Sequence, residues 1–431
     1  MRAYRGKPVR PYDASMVVVP IAGAALLLAA AAVLLVRRRR ARSDVPAAAP
    51  EVLAGISGVL LGREPQPGDP ACEGATAEQA AARIAVSEQH RRALASGEAR
   101  GVLIGTPAAE RVHPPGTLSP DGVAVVGNGG RLYIAHGAND FARQYRGELP
   151  LSAEGVAGWA RLLERCRGEA AERGIRLACV VAPDNLAVAP EGFPEPLPAR
   201  ARRPVHQILE ASPGAVDYPL DALRRAAARE SASLRTDSHL SSHGAAVMLE
   251  RALARLGLGR DARAPRRPRS AHLAAGDLGR KFDPPIHEVV LSVQPGPGLE
   301  IVEDNASSIL DLGGHLGVRR VTRCEAAPVD GRLAIFGDSY TFVQPSAAGT
   351  LGELLARTFR EVHFLWAPFC WDSGYVQRTA PDFVLMQMAE RFAVTVPREG
   401  ADVEALAAET LRRKGGIVPE EITDPAVAAR Q

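Results

Sequence analysis

The sequence predicts an α/β protein, and three stretches carry that expectation. Leu333, Ala334, Ile335 and Phe336 form an apolar run that stops at Gly337-Asp338-Ser339, as a strand buried on both faces of a parallel sheet would. Helical periodicity over 152–173 places Val156, Trp159, Leu162, Leu163 and Cys166 on one face, and Gly174 separates it from an apolar strand over 177–182. That is the helix-to-strand step of an α/β sheet. Beyond Ser339 a helix over 351–359 leads to strands over 362–366 and 383–388.

The chain begins with a basic segment and then 21 uncharged residues, 16–36, long enough to cross a bilayer as a helix. We read them as one uncleaved anchor. Arg2, Arg5, Lys7 and Arg10 precede it, while Arg37 to Arg40 and Arg42 follow it. Taken literally, that charge balance leans towards a cytoplasmic C-terminal body. Residues 37–120 mix Ala, Pro and Gly and read as a linker or stalk, with one helix over 77–95. Strands over 123–126 and 132–135 flank an Asn128-Gly129-Gly130 turn. Past the 152–182 step comes a proline-rich loop over 183–204, then a helix over 216–229. Thr236 to His239 forms a polar turn ahead of a helix over 242–256. A basic exposed loop covers 260–269, and strands at 288–293 and 299–302 read as a small β-rich insertion. A short helix over 401–413 closes the pattern.

Composition narrows the function classes. Of 431 residues, 46% are hydrophobic and only 5% aromatic, with a net charge of +3. Nine of the Lys and Arg residues lie in the first 42 positions, leaving 43 basic against 48 acidic residues beyond them. The body is therefore acidic, which disfavours nucleic-acid binding. The five cysteines, at 72, 166, 179, 324 and 370, are scattered without CxxC spacing. They suggest no zinc site and no complete disulfide framework. No metal and no cofactor are expected.

A serine at the carboxyl edge of a parallel sheet can present its hydroxyl to a crevice where ligands bind. It is a poor nucleophile until a neighbouring base takes its proton. Thr236-Asp237-Ser238-His239 supplies one: an aspartate two before a histidine can hold Nδ1–H and leave Nε2 free for that proton. His243 is an alternative base by proximity. The Ser339 backbone amide suits an oxyanion donor, and Gly137-Ala138-Asn139-Asp140 resembles the Gly-x-Asn-Asp block that supplies one in ordinary SGNH esterases, which makes Asn139 a further candidate. Trp366 and Trp371, with Phe369 and Tyr375, follow the next strand. Trp371, among polar neighbours, is expected in the crevice as a platform for a sugar face, and Tyr340 is expected to line the pocket or pack beneath it.

Asp237-Ser238-His239-Leu240 with Gly244-Ala245, followed by Gly337-Asp338-Ser339, resembles the alginate O-acetyltransferase family of periplasmic SGNH-hydrolase-like proteins, of the AlgX/AlgJ type. In that family Asp-x-His precedes Gly-Asp-Ser, the reverse of the order in ordinary SGNH esterases. Tyr145-Arg146-Gly147, Pro190-Glu191, Leu197-Pro198, Gly276-Asp277-Leu278, Pro381-Asp382-Phe383-Val384 and Glu390-Arg391 are similar to other family segments, so the likeness spans about 123–392. The family's usual Asp-Thr-His-Trp-Asn reads Asp-Ser-His-Leu-Ser here.

The resemblance implies an SGNH-hydrolase-like parallel sheet flanked by helices, over 121–395, between a linker and a tail at 396–431. A tail at 1–15 and the 16–36 anchor precede that linker. It makes Ser339 the nucleophile, His239 the acid/base and Asp237 its orienting partner; Tyr340, Trp371 and Asn139, placed by their own sequence context, are the expected substrate contacts beside them. It also implies O-acetylation of a cell-surface or extracellular polysaccharide through an acetyl-serine. The body would lie in the periplasm, held to the inner membrane by its anchor, with acetyl relayed by a membrane-bound O-acyltransferase. A carbohydrate acetylesterase with the same residues, or a glycan-binding or assembly protein without catalysis, are the alternatives.

Overall fold

The computed structural model describes residues 49–66, 76–198, 201–265, 267–344, 349–398 and 400–413. The candidate anchor at 16–36 lies outside them. Among the described residues no helix is long and apolar enough to cross a membrane.

Three short strands come first: β1 (Val102–Leu103), β2 (Ala124–Val126) and β3 (Leu132–Ile134). β2 and β3 pair antiparallel around a turn in which Gly129 adopts a φ of 69°, a conformation glycine reaches without a steric penalty. β4 (Arg176–Ala182) then opens the central sheet. β5 (Arg269–Ala274) and β6 (Ile286–Val293) form an antiparallel pair, and β1 adds to β6 in parallel. The remaining strands are β7 (Leu299–Asp304), β8 (Arg319–Cys324), β9 (Val329–Gly337), β10 (Phe359–Trp366) and β11 (Phe383–Ala389).

The central sheet has the order β4-β11-β9-β10-β8-β7. Its first four strands are parallel, and β8 and β7 extend it antiparallel. Strand periodicity sends alternate side chains to opposite faces, and the buried residues divide that way. Leu333 and Ile335 of β9 join Val180 of β4 and Leu385 of β11 in one core. Ala334 and Phe336 join Cys179, Val181 and Met386 in the other. The helices Ser242–Arg255 and Leu351–Thr358 cover the first face through Met248, Leu249 and Leu355. The helix Ala153–Glu172 covers the second through Trp159, Leu162 and Leu163. Burying both faces explains why these strands read as unbroken apolar runs.

Two domain expectations change. The 37–120 segment is not a linker throughout: the helices Pro50–Leu60, Ala77–Ala85 and Glu88–Ser96 fold, and the first two bury Ile56, Leu60 and Ile84 against Leu103 and the sheet of β5 and β6. The single helix expected over 77–95 is two, because the Ser87 hydroxyl accepts from the His90 N–H and starts a new one. At the other end, the helix Val403–Arg413 sets Val403, Ala407 and Leu411 into the two cores, so the domain runs past 395. The β-rich insertion also divides. β6 belongs to the small sheet, whereas β7 pairs with β8 on the edge of the central one.

Candidate active site

Ser339 stands two residues past the carboxyl end of β9. The turn that carries it is fixed by Asp338, a buried side chain that accepts from the Tyr340 N–H at 3.0 Å and the Ala389 N–H at 2.6 Å. The Asp338 carbonyl takes the N–H groups of Thr341 and Phe342. Gly337 is required by close approach: a Cβ there would lie 2.0 Å from the Thr341 hydroxyl. That hydroxyl is held against the Gln387 side-chain carbonyl at 2.8 Å. The Ser339 N–H has no acceptor among the described residues and is free to receive one.

The turn bearing Asp237 and His239 is tethered from both sides. Glu288 of β6 accepts from the Arg235 N–H, the Thr236 N–H and the Thr236 hydroxyl at 2.7–2.8 Å. Ser241 caps the following helix by accepting from the Gly244 N–H. Within the turn, Asp237 Oδ1 accepts from the His239 backbone N–H at 2.9 Å and lies 2.6 Å from Nδ1. His239 Nε2 lies 2.8 Å from Ser339 Oγ. Ser339 lies a hundred residues from His239 in sequence, yet the three side chains form one hydrogen-bonded chain from carboxylate to hydroxyl. His243 makes no such contact with Ser339.

The electrostatics suit His239 as acceptor of the Ser339 proton, with Asp237 staying ionised. Burial acts to lower the His239 pKa, but the hydrogen bond and charge of Asp237, joined by the charge of Asp277, outweigh it and leave it raised. Burial also opposes ionisation of Asp237, yet its bond to His239 holds the carboxyl well below the usual range. Such an arrangement can deprotonate a serine during attack on an acyl carbon and stabilise the resulting imidazolium.

Ser339, His239 and Asp237 open onto a cavity of about 650 Å³. Its far wall is the face of β5 and β6 that carries Ser270, His272, Val290 and Ser292, brought together by the cross-strand pairs Ser270–Ser292 and His272–Val290. Arg280 lines the same space. Asp237, His239 and Asp277 also place ligand atoms within 4.8 Å of one another. Those atoms already bond one another or Ser238.

The expected substrate contacts have different positions. Tyr340 lines the cavity but is buried, its hydroxyl donating to the Ser238 carbonyl at 2.7 Å and its ring 5.1 Å from that of His239. It braces the histidine turn from below. Trp371 does not reach the cavity: it is fully buried in the second core, stacked near Phe336, with its indole N–H donated to Glu169 of the Ala153–Glu172 helix. Its polar neighbours were misleading because Asp372 and Ser373 turn inwards too, Asp372 to cap the next helix and Ser373 to Glu169. Trp366 packs against His315 and Phe342. Asn139 has a φ of 62°, and its carbonyl accepts from the Gln144 side chain; it is not part of the cavity wall.

Sequence reading left Asp277, Glu288 and the β5–β6 wall without a role. Gly276-Asp277 was visible as a motif. What it touches was not, because its partners lie forty residues upstream.

No family model and no curated protein matches the chain. Solved structures do, at low similarity. The O-acetyltransferase domain of AlgJ from Pseudomonas putida is 16% identical, with a TM-score of 0.37, over 67% of this chain and 99% of that one. AlgX from Pseudomonas aeruginosa is 15% identical, with a TM-score of 0.33, over 63% and 67%. PatB1 from Bacillus cereus is 12% identical, with a TM-score of 0.39, over 59% and 93%. The chemistry of the site rests on its own geometry.

Proposed function

We propose that the protein is a serine-dependent O-acetyltransferase acting on a cell-surface or extracellular polysaccharide. The observation that carries this reading is the Asp237–His239–Ser339 hydrogen-bonded chain at the mouth of a cavity large enough for sugar units. Ser339 Oγ attacks the carbonyl carbon of an acetyl donor while His239 Nε2 takes its proton. The oxyanion that forms is met by the Ser339 N–H. Collapse expels the donor's leaving group, which receives the proton from His239, and leaves acetyl on Ser339. An acceptor sugar hydroxyl then attacks that ester as His239 removes its proton. The new sugar acetate departs, and the proton returns to Ser339.

The hydroxyl-bearing wall of β5 and β6 supports an oligosaccharide acceptor lying across from Ser339. The place of the reaction follows from the resemblance: the periplasmic side of the inner membrane, with residues 16–36 as the single-pass tether. So does a membrane-bound O-acyltransferase as the donor's relay.

The test uses the full chain in detergent, an activated acetyl ester and bacterial oligosaccharides, with mass spectrometry of the sugars. Acetylated sugar from the wild type, lost in Ser339→Ala and His239→Ala, is the expected result. Free acetate without acetylated sugar would make water the acceptor and the protein an acetylesterase. Sugar binding without turnover would leave a glycan-binding protein.

A further inference from the structure

Asp277 has more bonds to the histidine turn than a loop residue needs. Its Oδ1 accepts from the Ser238 N–H at 2.7 Å and its Oδ2 from the Ser238 hydroxyl at 2.5 Å. Its own N–H donates to Asp237 Oδ2 at 2.9 Å. Oδ2 also lies 3.9 Å from His239 Nδ1. One residue therefore holds Ser238 by its backbone N–H and its hydroxyl, one with each oxygen, fixes the second oxygen of Asp237, and sets a second carboxylate beside the imidazole. The contact is built into the backbone. A Cβ on Gly276 would lie 2.4 Å from both the Thr236 carbonyl and Asp237 Cβ, so only glycine lets this loop approach the turn so closely.

We propose that Asp277 is a positioning residue for the acyl transfer, clamping the Asp237-Ser238-His239 turn and holding a second carboxylate beside the imidazole that acts as base. This rests on the function proposed above for what the basicity is used for, but not for the basicity itself. A single carboxylate would suffice to orient Nδ1. The second adds charge at a distance where an ion still perturbs a neighbour's titration. The other groups that bear on His239 are Asp237, from within the turn, Arg391, whose charge acts in the opposite sense, and Tyr340, whose ring packs beside it. Arg280 lines the same cavity and holds the Gly276 carbonyl. Burial together with the Asp237 charge pushes Asp277 itself upward, so its charge is the weaker held of the two carboxylates.

The test titrates the imidazoles of the full-length protein in detergent by NMR, with the His239 signal assigned by its loss in His239→Gln. Asp277→Asn keeps the side chain's shape and one acceptor but removes the charge. The expected result is a His239 pKa lowered by about half a unit or more. Ser238→Ala removes one hydroxyl bond and keeps the charge; it is expected to shift the pKa by less than half as much while lowering kcat. An unchanged His239 pKa in a folded Asp277→Asn would overturn the proposal, as would an equal shift in Ser238→Ala. If Asp277→Asn fails to fold, Asp277→Glu decides. It retains the charge and is expected to keep a raised pKa, and a fall to the ordinary value there would also overturn it. This readout needs no turnover, so it stands apart from any failure of the acetyltransferase reading.

Discussion

Ser339 depends on its neighbours at the level of single atoms. Its hydroxyl is 2.8 Å from His239 Nε2, and that ring is fixed by Asp237 at 2.6 Å. Ser339→Ala is expected to lower kcat/KM by about a thousandfold or more, and Asp237→Asn by about a hundredfold or more, both read from acetyl transferred to the sugar. The base must be neutral to accept the serine proton. Because the His239 pKa is raised, the acid limb of kcat/KM should lie above the ordinary histidine value of about 6.5. A pH–rate profile with its limb at or below that value would contradict the electrostatics. The stability linkage runs the other way. The folded-state pKa exceeds the unfolded one, so the charged pair stabilises the fold fully below about pH 6.5, and that contribution disappears as pH rises through the folded pKa. Trp371 is a packing residue by its burial and its bond to Glu169. Trp371→Ala should cost about 3–5 kcal/mol in stability, seen in denaturant melts, whereas Trp371→Phe should leave the acceptor KM unchanged.

Elements carry these residues to one place, and the legibility of each differs for physical reasons. The strand leading to Ser339 was readable because both its faces are buried, which makes the pattern continuous. The helix over Ala153–Glu172 was readable because Ser152 caps it and Gly174, at a φ of 67°, ends it. Asp237 and His239 were readable because their pairing is local. β5 was not: Arg269–Ala274 follows a basic, proline-rich stretch, and its partner β6 lies across a connection that holds the Asp277 loop. β1 has only two residues, too few for any period. Trp371 misled because a polar sequence context does not report which side chains turn inwards. The β6 strand also bears on the site through Glu288, which satisfies three donors at 235–236. Glu288→Ala orphans those groups, at about 1–3 kcal/mol for each buried one. We expect faster hydrogen exchange at the 235–236 amides and weakened catalysis; unchanged exchange would detach β6 from the site.

In the whole molecule, the cavity has two walls of different origin. One is the carboxyl edge of the central sheet, and the other is the small sheet of β1, β6 and β5. That small sheet is itself packed against the helices Pro50–Leu60 and Ala77–Ala85. A chain begun at 121 would lose β1 and those helices and uncover the backs of β5 and β6, including Leu273 and Val289. It should then show protease sensitivity within 269–293 and lose acceptor transfer, while a chain begun at 49 retains both properties of the full protein. Equal behaviour of the two truncations would mean that the N-terminal helices do not support the cavity wall. The buried ion pair of Arg391 with Asp184 ties the end of the central sheet together beneath Tyr340. Removing one partner alone is expected to cost about 3–5 kcal/mol, because a charge is left buried.

The central claim is that Ser339 receives the acetyl group. The most direct measurement is peptide mass spectrometry of the full-length protein quenched in acid seconds after mixing with an activated acetyl ester. An acetyl group confined to the peptide bearing Ser339, absent in Ser339→Ala and strongly slowed in His239→Ala, is the predicted result. Acetyl on another residue at the wild-type rate in Ser339→Ala, or a turning-over enzyme that never labels Ser339, would contradict it.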